Sequence, residues 1–293
     1  MTDMNRRTFV ATVSAAAGAA YLGGGGLRAA SISKVGMQLY TVRDLMGKDF
    51  EGTLASVAAI GYKEVEFAGY FDKTPEQVRD ILKKHGLTSP SAHIPFANLG
   101  PDKIDGVIAA AKTIGHSYIV CPWLDDNLRK EPDVWKKVTT TLNSASAACQ
   151  KAGLNFAYHN HHFEFVPVDG KLPMDIILES CDPKLVKIEL DLFWITVAGQ
   201  DPLAYFKKYP GRFPLVHVKG MKKDAPALAA TTPTGDALKA IADVGDNDKI
   251  DWKGIFAHAK QAGIQHYFVE NDVPKDPLVS LKTSYGYLSK LQF

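Results

Sequence analysis

Residues 156–165 read FAYHNHHFEF. Phe156-Ala157-Tyr158 is an apolar, strand-like piece that runs straight into His159, Asn160, His161 and His162, with Glu164 just beyond. Three of the chain's nine histidines fall in this run. A strand ending in imidazoles presents ligands or a base from a rigid support. The design recurs in KIELDLFW (187–194), PLVHVKG (214–220) and HYFVEND (266–272), each a β-branched or aromatic run ending in Asp, His or Glu.

Working outward, the chain beyond residue 31 alternates strand and helix. Strands are expected at 34–40, 62–67, 87–93, 117–121, 154–159, 186–191, 215–218 and 267–270. They are continuous apolar runs, as buried parallel strands should be. Helical stretches between them stop at Gly61, Gly86, Gly115, Gly153 and Gly263, each just before the next strand. Thr74-Pro75 supplies an N-cap followed by a first-turn proline. Eight strand–helix units in about 260 residues predict a (β/α)8 barrel. A doubly wound open sheet is the alternative, but no Gly-x-Gly-x-x-Gly turn follows the first strand.

The composition, 46% hydrophobic and 23% charged over 293 residues, is that of a globular chain able to bury a large core. The N-terminus reads differently. Asn5-Arg6-Arg7-Thr8-Phe9-Val10 precedes a small-residue apolar run from Ala11 to Leu22 and then Gly23–Gly26. A twin arginine before a modest apolar region resembles a twin-arginine export signal. Residues 1–30 are therefore expected to be a signal peptide, 31–293 the barrel domain, and the address periplasmic. The run is too short and Ala-rich to span a membrane well.

Residues 1–30 hold three arginines and one aspartate, which leaves 31 basic and 31 acidic residues in the remainder. A formally neutral chain offers no basic field for nucleic acid or an anionic membrane. Cys121, Cys149 and Cys181 show no metal-type spacing and are expected to be buried free thiols.

In a (β/α)8 barrel the carboxyl ends of the strands meet on one face, where active sites form. That face should gather Gln38, Glu66, His93, His159 with His161, Asp191, His217 with Lys219, and Glu270. So many ionisable groups at one rim carry a desolvation cost unless paired or coordinated. Asp191, His217, Glu270 and an imidazole from 159–161 make an oxygen- and nitrogen-donor set without cysteine. It suits one divalent ion (manganese, cobalt, magnesium or zinc) with positions open for substrate oxygens. Such an ion acidifies the carbon next to a carbonyl, and a neighbouring carboxylate or imidazole moves the proton. Ion pairing at the rim is the structural alternative. His159 and His161 share a face only if the strand has already ended. Gln38, Glu66, His93 and Lys219 are candidate substrate contacts, and Trp123 and Trp194, after strand ends, could stack on a sugar face. His85, His116, His258 and His266 are expected at the surface, and Trp135 and Trp252 in helix packing.

Taken in order, GMQLYTVRD, VEFAG, AHIPF, YHNHHFEF, ELDLFW, PLVHVKG and FVEND resemble the sugar phosphate isomerase/epimerase family over about residues 34–290. This is the xylose isomerase-like barrel group, which also includes endonuclease IV, ketose epimerases, and inosose and dehydroshikimate dehydratases. The resemblance implies a metal at the ends of strands five to eight. Asp191, His217 and Glu270 match three of the ketose epimerase ligands, and His159 stands where the fourth, a glutamate, is expected. Of the two glutamates that exchange protons in those epimerases, only Glu270 remains. His161 occupies the place of the base in related dehydratases, and Trp194 that of a substrate-contacting histidine. His161 and Glu270 are thus the candidate catalytic residues. The implied activity is a metal-dependent isomerase or epimerase acting on a sugar or keto sugar, with β-elimination or non-catalytic sugar binding as alternatives. The neutral charge argues against a nuclease. The expected partner is a small-molecule sugar, and the sequence leaves a homo-oligomer open.

Overall fold

The computed structural model describes residues 30–293. The expected signal, residues 1–30, lies outside the described residues except for Ala30. Eight parallel strands close on themselves: β1 (Gly36–Gln38), β2 (Glu64–Phe67), β3 (Thr88–His93), β4 (Tyr118–Cys121), β5 (Asn155–His159), β6 (Val186–Asp191), β7 (Leu215–Val218) and β8 (His266–Val269). Each pairs with its sequence neighbours, and β8 pairs with β1 to complete the barrel. The (β/α)8 expectation is the fold.

Helices cover the outside: α1 (Phe50–Ile60), α2 (Pro75–Lys84), α3 (Ile104–Ile114), α4 (Val134–Lys151), α5 (Pro173–Ser180), α6 (Pro202–Lys208), α7 (Trp252–Phe256) and α8 (Pro277–Leu288). Their starts are written locally. Thr74 and Gln77 form a reciprocal capping box at α2. The carboxylates of Asp49, Asp201, Asp251 and Asp276 accept backbone N–H bonds at the starts of α1, α6, α7 and α8. Gly115 ends α3 at φ +99°, a conformation that side chains disfavour, and so returns the chain to β4. α3 begins at Ile104 after a turn in which Lys103 N and Ile104 N both donate to the Gly100 carbonyl.

One large apolar core lies between the strands and the helices. Inside the barrel, Tyr118, Val120, Ala157, Leu215 and Phe268 form a separate plug beneath the polar rim. The connection from Lys219 to Asp251 carries structure of its own. Gly220–Met221 pairs antiparallel with Ile241–Ala242, and Asp248 pins the segment by accepting from Met221 N at 3.0 Å and from the Trp252 indole. No helix among the described residues is long and apolar enough to cross a membrane. The three cysteines are free and buried, and Trp135 and Trp252 are packed, as expected.

Of the four histidines expected at the surface, three are not exposed. His116 is buried, its Nδ1 2.9 Å from the Ser89 carbonyl and its Nε2 3.0 Å from the Tyr70 hydroxyl. Burial pushes its pKa down to about 4. His266 is half-buried, with Nδ1 2.8 Å from Glu64 Oε2 and its ring stacked on Phe268. Both positions begin the approach to a strand, where the barrel wall takes the side chain. His258 is exposed as expected, and His85 is half-buried against Glu51.

Candidate active site

Strand register decides which rim residues meet. Gln38 is level with Glu66, and Glu66 with Ser91. His159 is level with Glu189, and Asp191 with His217. Side chains two apart on β6 point to the same face, so Glu189 and Asp191 both enter the barrel, one level apart. The result is two polar layers that share His217.

The lower layer is Gln38, Glu66, Ser91, His93 and Glu189. Gln38 Nε2 donates to Glu66 Oε1 at 2.6 Å, and Ser91 Oγ donates to Glu66 Oε2 at 2.5 Å. His93 Nε2 lies 2.9 Å from Glu66 Oε1 and 2.8 Å from Glu189 Oε2. His217 Nε2 lies 2.9 Å from Glu66 Oε1 and 3.3 Å from Glu189 Oε2. Burial alone would lower the His93 pKa, but Glu66 and Glu189 overcome it and push it up to about 9. The same two imidazoles hold Glu66, despite burial, well below the usual carboxylate range.

The upper layer holds the proposed ligand set. His159 Nε2 is 3.2 Å from His217 Nδ1 and 3.4 Å from Asp191 Oδ2, and His217 Nδ1 is 3.7 Å from Asp191 Oδ2. Glu270 Oε2 approaches His217 Nδ1 at 2.8 Å. Asp191 is held by its other oxygen. Oδ1 accepts from Phe193 N and Trp194 N as the cap of the short helix Leu192–Val197, and Asn160 Oδ1 accepts from Asp191 N. That leaves Oδ2 buried and turned toward the imidazoles.

Donors held at about 2.1 Å by a first-row divalent ion stand roughly 3.0–3.4 Å apart. The spacings between His159, Asp191 and His217 are close to this, and the nitrogen–oxygen donor set is right for such an ion. The site therefore fits one divalent metal, with Glu270 beside the triad. His217 would present Nδ1 to it, because Nε2 is directed at Glu66 and Glu189.

Lys219 enters from the end of β7 and is 1% exposed on its side chain. Its Nζ lies 3.1 Å from Asp191 Oδ2, 2.7 Å from Glu270 Oε2 and 3.0 Å from Asp272 Oδ2. Burial opposes its charge, yet the three carboxylates hold its pKa well above the ordinary value. In return Lys219 and His217 overcome burial and hold Glu270 far below the usual carboxylate range. Burial pushes Asp272 up to about 6 against the pull of Lys219.

His161 stands over this layer. β5 ends at His159, so the parity restriction lapses, and the His159 and His161 rings lie 4.9 Å apart. The His161 ring is edge-on to Trp123 at 4.5 Å, parallel to Phe163 at 5.5 Å, and tilted on Trp194 at 5.3 Å. Its Nδ1 is buried without a hydrogen-bond partner. Burial, reinforced by His159 and Lys219, holds its pKa well below 6.5, so the ring is neutral at physiological pH. Its backbone is fixed by Glu164 Oε2, which accepts from His161 N at 2.8 Å, while Glu164 Oε1 accepts from Tyr158 Oη at 2.5 Å. Trp123 is half-buried at the mouth with Arg129 over its ring. Trp194 is buried, its ring stacked on His162 at 4.9 Å.

All the predicted site residues thus lie in or around the rim. Gln38, Glu66 and His93 form the floor under His217; His159, Asp191, His217, Lys219 and Glu270 form the level above; His161, Trp123 and Trp194 form an aromatic wall. Glu189, Glu164 and Asp272 were missed. Glu189 had a readable signal: an acid inside an apolar strand, two residues before Asp191 and hence on its face.

Comparison with known proteins agrees with the barrel fold. An inosose dehydratase from Geobacillus kaustophilus (strain HTA426) is 22% identical over 261 residues, covering 81% of this chain and 84% of that protein. Among solved structures, a sugar phosphate isomerase/epimerase from Parabacteroides distasonis ATCC 8503 superposes with a TM-score of 0.69 at 25% identity, covering 89% of this chain and 94% of that one. The IolI protein, solved with a bound zinc atom, superposes with a TM-score of 0.68 at 15% identity over 89% and 99% of the two chains. The sequence profile of the xylose isomerase-like TIM barrel family matches residues 54–290, and the chain belongs to that family.

Proposed function

We propose that this barrel is a divalent-metal-dependent lyase that removes a proton next to the carbonyl of a keto sugar and expels a β-substituent. His159, Asp191, His217 and Glu270 would hold the ion. When bound, it would draw charge from the substrate oxygens and acidify the carbon beside the carbonyl. His161 is the base. Its neutral imidazole takes the carbon-bound proton, the C–H electrons form the enediolate, and the β-oxygen leaves with its bonding pair as the new double bond forms. The imidazolium then returns the proton to the leaving oxygen, so one group serves both steps. Trp123 and Phe163 exclude water from the ring and keep it neutral.

The observation that carries this reading is the state of the two candidate bases. Glu270 is locked between Lys219 and His217, which leaves it a weak base. His161 has a buried nitrogen with no hydrogen-bond partner among the described residues. A two-base epimerisation needs an active group on each face of the carbon, and Glu270 is poorly suited to be the second. The inosose dehydratase relative supports elimination. Isomerisation is the second reading, supported by the Parabacteroides isomerase/epimerase structure: the same imidazole could return its proton to the adjacent carbon. Zinc, bound by the IolI protein, is the first ion to test.

The test is nuclear magnetic resonance of a keto-sugar and keto-glycoside panel in heavy water with the zinc-loaded protein. Loss of the α-proton signal with appearance of an unsaturated ketone supports elimination. Exchange with an aldose–ketose shift supports isomerisation. Sugar binding without exchange anywhere on the panel defeats the catalytic reading. The twin-arginine motif supports a periplasmic address for this chemistry, and with it free or glycosidic sugars as substrates. Mature protein confined to the cytoplasmic fraction would refute that address.

A further inference from the structure

The ammonium of Lys219 sits where two demands on the same oxygens meet. Asp191 Oδ2, 3.1 Å from Nζ, is also the oxygen that faces His159 Nε2 and His217 Nδ1. Glu270 Oε2, 2.7 Å from Nζ, is also the oxygen that faces His217 Nδ1. Lys219 therefore sits on the two carboxylate oxygens that the ion would use. Its third partner is different. Asp272 Oδ2, 3.0 Å away, makes no ion pair with any histidine of the set, and its backbone carbonyl is tied across the β8–β1 junction by Arg43 at 3.1 Å.

We propose that Lys219 is a tethered competitor for the metal, and that Asp272 is the seat that keeps the ammonium when the ion takes Asp191 and Glu270. This rests on the metal assignment proposed above. The physical case is a balance of buried charge. Two desolvated carboxylates facing each other across a site repel, and an internal cation relieves them. A lysine can do this reversibly, because its charge rides on a flexible four-carbon stem, whereas a guanidinium fork would hold its partners in fixed geometry. Once a divalent ion arrives, an ammonium a few ångströms away repels it. The stem then needs only a small rotation toward Asp272, which it already touches. The arrangement keeps the ligands in place without metal and lowers the affinity of the loaded site.

The test is metal affinity, not turnover. The full chain is stripped of metal with chelator and titrated with Zn2+ against a chromophoric competitor, alongside Lys219→Met, Asp272→Asn, the double variant and His217→Ala. Lys219→Met should bind Zn2+ at least tenfold more tightly, because a like charge within a few ångströms of a divalent ion is removed. Asp272→Asn should bind about tenfold more weakly, since the ammonium loses its alternative seat. In the double variant the Asp272→Asn loss should vanish. Equal or weaker binding by Lys219→Met, or an Asp272→Asn loss of the same size with and without Lys219, overturns the competition. If Lys219→Met does not fold, Lys219→Gln and the Asp272→Asn comparison carry the test, because the Asp272→Asn change leaves every proposed ligand intact. His217→Ala separates the two ideas. If it binds Zn2+ like the parent, the metal assignment falls and the competition with it. If it loses Zn2+ while Lys219→Met matches the parent, the competition alone is wrong.

Discussion

Replacing Glu164 with glutamine should make the stability of this protein less sensitive to pH, because Glu164, unlike an ion-paired acid, costs stability as pH rises. Glu164 is fully buried and accepts from Tyr158 Oη and from His161 N, with no cation among the described residues in direct contact. Burial pushes its pKa up from 4.5 to about 7. The folded state therefore holds the proton more tightly than the unfolded chain. The stability linked to that proton is full below pH 4.5, falls as pH rises toward 7, and is gone above it. A shift of about 2.5 pKa units corresponds to about 3 kcal/mol. Glutamine cannot ionise. Its carbonyl can still accept from His161 N, and its amide can donate to Tyr158 Oη, because a hydroxyl can turn to accept. The variant should thus lie close to the parent at pH 4.5 and gain about 3 kcal/mol on it by pH 8, or roughly 6–12 °C in Tm for a domain of this size. Urea unfolding of both proteins at several pH values measures the difference directly, and the other titrating groups cancel. A difference that is the same at pH 4.5 and pH 8 would show that Glu164 is not forced to ionise within the fold, and the account of how the His161 loop is anchored would fail.

Other outcomes follow from the same geometry. His161→Ala should lower kcat by about 10²- to 10⁴-fold, the usual span for a lost general base, with zinc content unchanged by metal analysis. Glu189→Gln should weaken zinc binding by about 10- to 100-fold, as for partners that orient a ligand, although Glu189 lies a level below the ion. The rate profile kcat/KM should rise with pH as His161 loses its proton, with an inflection below 6.5. Trp123→Ala should let water reach the ring and move that inflection up toward 6.5, and an unmoved inflection would mean that another group controls the limb.

Much of this was legible because strand ends are legible. Asp191, His217 and Glu270 each terminate an apolar run, and the barrel topology forces such ends to one rim. His159 and His161 were harder, since alternation allows only one to face inward; the answer depended on where pairing with β6 stops, which the sequence does not mark. Glu189 was passed over because attention to strand ends hides the residue one level below. The contacts of Lys219 could not be read at all: Asp191 and Asp272 are far from it in sequence, and only the pairing of β7 with β6 on one side and β8 on the other brings them together. His116 follows a helix-ending glycine, which favours a surface reading, but the Tyr70 hydroxyl and the Ser89 carbonyl give both its nitrogens partners, and burial costs little once they are satisfied.

The two polar layers also explain why one histidine carries so much of the site. His217 joins them through opposite nitrogens, Nε2 toward Glu66 and Glu189 and Nδ1 toward Glu270, Asp191 and His159. With carboxylates on both sides, its pKa is held well above the ordinary value even though burial opposes the charge. Were Nδ1 to hold the proposed ion, it would have to present its lone pair toward Asp191 and His159, and Glu66 and Glu189 would favour keeping the ring proton on Nε2. His93 bridges the same two glutamates from the side and keeps them from collapsing onto His217. A floor of glutamates alone would trap His217 as an imidazolium, and a floor of apolar residues would leave its tautomer free. The mixed floor of two acids and a second imidazole does neither. It would fix the tautomer while sharing the negative charge, which is what a nitrogen ligand to the proposed ion requires.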